Sequence, residues 1–408
     1  MKARQNMLTG AVLAVGLVTL VPMVRTLPLV SVGVIVFAAL ILTCFLFPQA
    51  MVNKESFLFL IYALYIAGSL YFKGFLVKNQ LVNLVYWGMA LCLANALLYL
   101  KNKLIFKTVA WGCLGMVVVT CIFTSQQVLI DPSVVRSGGI VEADFGESPL
   151  KVAGYAFAHG VPLLFPYLVY WVKKSDFKIK AIWVFVLGAV SFFILKANFG
   201  ASLIVSFFCI LLSFLITSDK TLNIVLLVTM MLVAALFLNK SIVLSSLQLV
   251  EPFFEETVIA NKISDIKGSI IASGVEGSVY NRGALYLGSW KAFLGSPLFG
   301  VTYRGDAFIG GHSFVLDNLA IGGLSGFSLL VLIIWGMFKR LILIIDKNKR
   351  IYFLISLSVF VILNCVKANI GGGSLFILFV VVPALSFAHY KPNIKGVVRG
   401  EQLEITQY

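Results

Sequence analysis

Histidine is scarce in this chain, and one of its 3 copies, His312, sits where a proton acceptor would be useful. It follows Gly310-Gly311 and precedes a long apolar run that begins at Ser313. A helix starting there turns the positive end of its dipole toward the imidazole and favours the neutral ring. The neutral ring is the form that takes a proton near neutral pH. Upstream, Arg282 directly follows Asn281, a good helix cap, and the segment from Arg282 to Leu294 reads as a short helix stopped by Gly295-Ser-Pro297. A guanidinium beside the free amides of a helix start makes a clamp for a phosphate-type anion. Arg304, on a glycine-containing turn shortly before His312, can join that clamp. Arg136, in Arg136-Ser-Gly-Gly, and Lys196, in Leu195-Lys196-Ala-Asn198, add further cations. Asp317 falls one helical turn after Ser313 and faces away from His312 on a straight helix, so capping the helix or orienting an acceptor stands beside catalysis as its role. A base and several cations together suit a reaction in which a hydroxyl loses its proton while an anionic group leaves. For each lone Lys or Arg the alternative is a side chain that merely reaches to the membrane surface.

These groups must be positioned by membrane helices. Apolar residues make up 60% of the 408, and only 12% are charged. Mean hydropathy is +1.00, far above that of soluble domains. Apolar runs long enough to span a bilayer are expected near 8–24, 28–47, 56–76, 81–100, 105–123, 152–172, 181–197, 200–217, 221–238, 313–337, 351–367 and 374–389. The expected fold is an all-α polytopic membrane protein of about twelve transmembrane helices with a long, partly helical periplasmic loop. The chain then divides into spans one to nine over 1–238, with an outer loop near 124–150, a large outer loop over 239–311, spans ten to twelve over 312–389, and a tail over 390–408. Within the large loop, Leu244 to Lys267 mixes apolar pairs with Glu251, Glu255 and Glu256, as an amphipathic surface helix would.

The net charge of +15 sits between apolar runs, so it reports topology and gives no sign of a nucleic-acid partner. Most of the short basic segments, including Lys101-Asn-Lys103, Lys173-Lys174 and Lys347-Asn-Lys349-Arg350, fall on one side, which places both termini in the cytoplasm. The start, Met1 to Met7 followed by an apolar run, reads as an uncleaved first span. The 6 cysteines fall in apolar segments without metal-ligand spacing and read as small buried hydrophobes. No Asp or Glu falls in the middle of a span, which weighs against an ion-coupled transporter. His159, near the outer side of the sixth span, reads as a satisfied helix histidine. Glu142, Asp144 and Glu147 read as a solvated loop face or as donors' partners on a sugar. Trp290 and Phe293 read as loop core or as a platform for a sugar ring, and Gly322 with Gly326 as a close helix-packing pair.

The segment from Asn281 to Gly326, with its Arg282, its Ser296-Pro-Leu-Phe-Gly300 and its His312-Ser313 followed by nine residues and Gly323-x-x-Gly326, resembles the O-antigen polymerase and O-antigen ligase superfamily. The motif match covers about a tenth of the chain, and the layout of spans with one long late outer loop is similar too. The resemblance implies a glycosyltransferase without a metal or other cofactor. It would pass a glycan from undecaprenyl pyrophosphate to an acceptor hydroxyl on the periplasmic face, with inversion. His312 and Arg282 would be the catalytic residues, and Arg136, Lys196, Arg304 and Asp317 the substrate-binding ones. Many members of that family carry Arg where this chain has Lys196, so a bidentate phosphate contact there becomes a point charge. Ser313 and Asp317 resemble the polymerase branch. The alternatives are the ligase that moves finished glycan to lipid A core, and a polysaccharide transporter without catalysis. The implied partners are the lipid-linked donor and acceptor, the bilayer, and a chain-length regulator.

Overall fold

A helix that is apolar on every side is stable only among other helices or in lipid, and among the described residues the chain builds almost nothing else. The structure is a computed structural model that describes residues 1–26, 32–73, 78–131, 134–135, 140–141, 150–197, 199–216, 248, 252, 264, 267, 278–301, 308–311, 313–366 and 372–390. In chain order it contains α1 (Lys2–Leu20), α2 (Val32–Leu46), the short α3 (Pro48–Met51), α4 (Lys54–Lys73), α5 (Lys78–Leu100) and α6 (Lys103–Ile130). A two-residue antiparallel pair follows, β1 (Ile140–Val141) with β2 (Leu150–Lys151). Then come α7 (Tyr155–Gly160), α8 (Phe165–Lys174), α9 (Phe177–Ala197) and α10 (Gly200–Leu215). After the undescribed stretch come α11 (Ser278–Gly295), α12 (Phe314–Ile344), α13 (Lys347–Val366), α14 (Gly372–Phe376) and α15 (Val382–Leu385).

Among the described residues, five stretches are long and apolar enough to cross a membrane: Asn83–Leu100, Lys103–Ile130, Phe177–Ala197, Phe314–Ile344 and Lys347–Cys365. Helix also occupies the other expected span positions within the described residues, but in shorter or less apolar pieces. Proline explains several interruptions, because it lacks an N–H and clashes with the preceding turn. The expected sixth span is α7, a 3-10 stretch Val161–Leu164 and α8, with Pro162 and Pro166 at the two joints. The last expected span is α14, a π-helical turn Ile377–Val381 and α15, with Pro383 just beyond the wide turn. The expected ninth span, 221–238, and the expected amphipathic segment Leu244 to Lys267 lie outside the described residues apart from single positions. Helix α6 continues through Ile130, so the outer segment expected from Thr124 begins about two turns later. Thr124 is buried, and its Oγ1 accepts the Ala153 N–H at 3.1 Å.

Three indoles secure the C-terminal helices. Trp171 Nε1 donates to Leu385 O at 2.8 Å, Trp111 Nε1 to Ala388 O at 3.0 Å, and Trp183 Nε1 to His389 Nε2 at 2.7 Å. One ion pair ties α12 to its neighbours. Arg340 Nη1 donates to Glu55 Oε2 of α4 at 3.1 Å and to Asn95 Oδ1 of α5 at 2.6 Å. Asn95 Nδ2 passes the chain on to Ser56 Oγ at 3.1 Å. A carboxylate as buried as Glu55 is tolerated because the Arg340 guanidinium meets it.

Helix α12 is broken at Gly323, whose φ of 58° and ψ of −165° are non-helical. The turn after α11 docks in that break: Leu324 N–H donates to Pro297 O at 2.8 Å and Ser325 N–H to Leu298 O at 3.0 Å. The fit requires glycine on both sides. Gly300 has φ +71°, and a Cβ there would lie 2.1 Å from Ile321 O, while a Cβ on Gly323 would lie 2.5 Å from Leu298 O. The expected glycine motif is therefore a docking joint between two helices. Gly300→Ala combines a left-handed backbone with a backbone collision. It is expected to destabilise the fold by about 2 kcal/mol or more, read as an earlier thermal unfolding midpoint of the purified protein in detergent. An unchanged midpoint would show that the joint is loose.

Candidate functional site

Ser313 caps α12. Its Oγ accepts the Leu316 N–H at 3.2 Å, and its own N–H donates to Asp317 Oδ2 at 3.1 Å, so cap and carboxylate hold each other across the first turn. The other carboxylate oxygen, Oδ1, accepts from Ser289 Oγ of α11 at 2.6 Å. Ser289 Oγ in turn accepts the Gly310 N–H at 3.0 Å. Ser289, Ser313 and Asp317 are all buried. Burying a carboxylate is costly unless donors meet it, and here a hydroxyl and an amide do. An acid near a helix start also gains from the dipole.

The effect of this network is on the loop between the two helices. Ser289 holds Gly310, and Asp317 holds Ser313, so position 312 falls between two anchored residues. The loop lies directly on α11, because a Cβ on Gly310 would sit 2.1 Å from Leu285 O. The start of α12 is wedged between α4 and α5. Phe314 meets Trp87 edge-on at 5.6 Å, Trp87 stacks on Tyr62 at 6.1 Å, and Tyr62 OH donates to Asn318 Oδ1 at 3.4 Å. One turn along α4, the Tyr65 hydroxyl stands 2.6 Å from Phe299 O and 3.0 Å from Gly322 O, one donor shared by two carbonyls. A Cβ on Gly326 would lie 2.9 Å from the Tyr65 ring, so the expected Gly322 and Gly326 pair does serve close packing, against a tyrosine of α4.

The structure brings some of the expected site residues into relation and leaves others aside. His312, Arg304 and Arg136 lie outside the described residues. So do Glu142, Asp144 and Glu147. Arg282 is described by its backbone only, and one expectation about it needs correcting. Helix α11 starts at Ser278, not at Arg282 after an Asn281 cap. The amide of Arg282 is thus inside the helix, one turn past the first amides of α11. The expected stop at Gly295 is where α11 ends. Arg282 precedes Leu285 by one turn and Ser289 by two, a spacing that returns to one face of the helix. That is the face on which the 308–311 segment lies. Asp317 reaches Ser313, as its spacing requires, and Ser289 as well. Lys196, in the last turn of α9, is exposed and lies over the Phe192 ring of its own helix at 5.6 Å. His159 is buried, with Nδ1 hydrogen-bonded to Ser202 Oγ and its ring 5.5 Å from Phe199. Phe293 is buried as loop core, but Trp290 is 42% exposed and is not.

Sequence reasoning missed Ser289, Tyr62 and Tyr65. Ser289 carried a signal, its two-turn spacing from Arg282, but a serine in a helix has no distinctive chemistry until its partner is known. The tyrosines belong to α4, far away in the chain, and nothing local marks them. No protein-family model matches this chain, and no curated protein does.

Proposed function

We propose that the chain is a glycosyltransferase of a bacterial inner membrane that polymerises oligosaccharide units carried on undecaprenyl pyrophosphate. The observation that carries the reading is the bracket around position 312. Two buried hydrogen-bonded anchors hold the loop on either side of a histidine, on the helix face that also bears Arg282. A base needs that kind of fixed backbone, because proton transfer in the transition state falls off with small displacements.

In the proposed reaction the acceptor hydroxyl gives its proton to His312 as its oxygen bonds the anomeric carbon. The bond from that carbon to the pyrophosphate oxygen breaks, and the configuration inverts. Arg282 meets the charge growing on the leaving pyrophosphate, with Arg304, Arg136 and Lys196 as further cationic contacts to phosphate or glycan. Asp317, with both oxygens engaged by protein donors, orients the loop. The proposed topology has twelve spans, both termini in the cytoplasm, and the 239–311 loop with the site on the periplasmic face. This architecture lets the donor keep its polyprenyl tail in the bilayer.

Deleting the gene and separating the cell's lipopolysaccharide on a gel tests the reading. A ladder reduced to single-repeat product is expected. Polymerised glycan left unattached to lipid A core would assign the ligase reaction instead, and an unaltered ladder would remove both.

A further inference from the structure

Helix α11 buries Ser289, which donates to Asp317 of α12, and Phe293, yet its other side carries Leu287, Trp290 and Leu294, which are 50%, 42% and 58% exposed. These three recur at the spacing of one helix face. The stripe does not stop at the helix end. Leu298 and Phe299 on the following turn are exposed as well. That turn is hydrogen-bonded through Pro297 O and Leu298 O to Leu324 and Ser325 of α12. Leu324 is exposed, and so are Val331, Leu332 and Trp335 farther along α12, a helix long and apolar enough to cross a membrane. The apolar surface of α11 thus continues into the lipid-facing surface of a spanning helix. An apolar patch of this extent is unusual on a surface that faces water. Lys291 is exposed beside the stripe, in the place where a basic side chain reaches from an interfacial helix to lipid phosphate.

We propose that α11 is seated in the bilayer, with bilayer lipid acyl chains covering the Leu287–Trp290–Leu294 stripe, and is not a loop helix carried in water. This goes beyond the catalytic reading and does not depend on it. The helix that would carry Arg282 is then a monotopic element, held by lipid on one face and by α12 on the other.

The test uses the full chain reconstituted in vesicles of phosphatidylethanolamine and phosphatidylglycerol, with and without brominated phosphatidylcholine. Tryptophan emission of the wild type minus that of Trp290→Phe isolates the signal of one indole. That difference signal is expected to be blue-shifted, to lose most of its intensity in brominated vesicles, and to be untouched by iodide in the buffer. Quenching by iodide with none by brominated lipid would put the stripe in water and overturn the proposal. Quenching by neither would mean that protein, from this chain or a second copy, covers the stripe, and would overturn it equally. Because the readout is optical, it holds whether or not the protein transfers sugars.

Discussion

His312→Ala is expected to cut polymer formation by the reconstituted protein by about 10²–10⁴-fold, the usual worth of a positioned general base, without lowering the amount of protein in the membrane. The local structure explains why the two effects separate. The anchors of the loop are Gly310 on Ser289 and Ser313 on Asp317, and both use backbone N–H groups that alanine at position 312 leaves in place. The cap of α12 is supplied by Ser313 and Asp317. The loss should therefore fall on turnover and spare substrate binding, since a base acts only as the proton moves. Undiminished polymer from the alanine variant would remove the base assignment. A protein that fails to insert would place His312 among the structural residues.

Arg282→Ala is expected to reduce transfer by about 10²–10³-fold, as loss of a charge-stabilising donor does in other sites where charge develops. Arg282→Lys should lose nearly as much, because a lysine cannot present the two parallel donors that a phosphate accepts from guanidinium. Position 282 lies inside α11, one turn from its start, so its own amide is engaged in the helix and the contact to phosphate is carried by the guanidinium. That makes the lysine variant the more informative of the two. If Lys at 282 restores full activity, the site needs a positive charge there and no fork. If both variants are as active as the wild type, the clamp lies elsewhere.

The helical, apolar character of the fold was legible in the sequence for one physical reason: a bilayer-spanning helix needs a long apolar run, and such runs stand out. The spans expected near 81–100, 105–123, 181–197 and 351–367 coincide with stretches long and apolar enough to cross a membrane. Interruptions were harder to foresee. Pro162 and Pro166 were visible in the sequence, but whether proline bends a helix or divides it depends on what surrounds it. The start of α11 was misjudged because a cap residue such as Asn281 contributes only about 1 kcal/mol, too little to stop a helix that continues on either side of it. The glycine motif was legible as a motif and not as a joint. Only the turn at Gly300, docked against Gly323, shows what the glycines are for. In the site, Asp317 and Ser313 could be paired from spacing, since both lie within one turn. Ser289 could not, because its partners are brought to it by the fold of a different helix.

The most direct measurement of the central claim is the reaction of the purified full-length protein in vesicles, given the undecaprenyl-pyrophosphate-linked oligosaccharide and no nucleotide sugar. The account predicts longer lipid-linked glycan together with one undecaprenyl pyrophosphate released for each new glycosidic bond, and neither product from His312→Ala assayed beside it. Lipid-linked oligosaccharide that crosses the vesicle membrane unchanged, with no new bond and no pyrophosphate released, would contradict the account and make the protein a transporter.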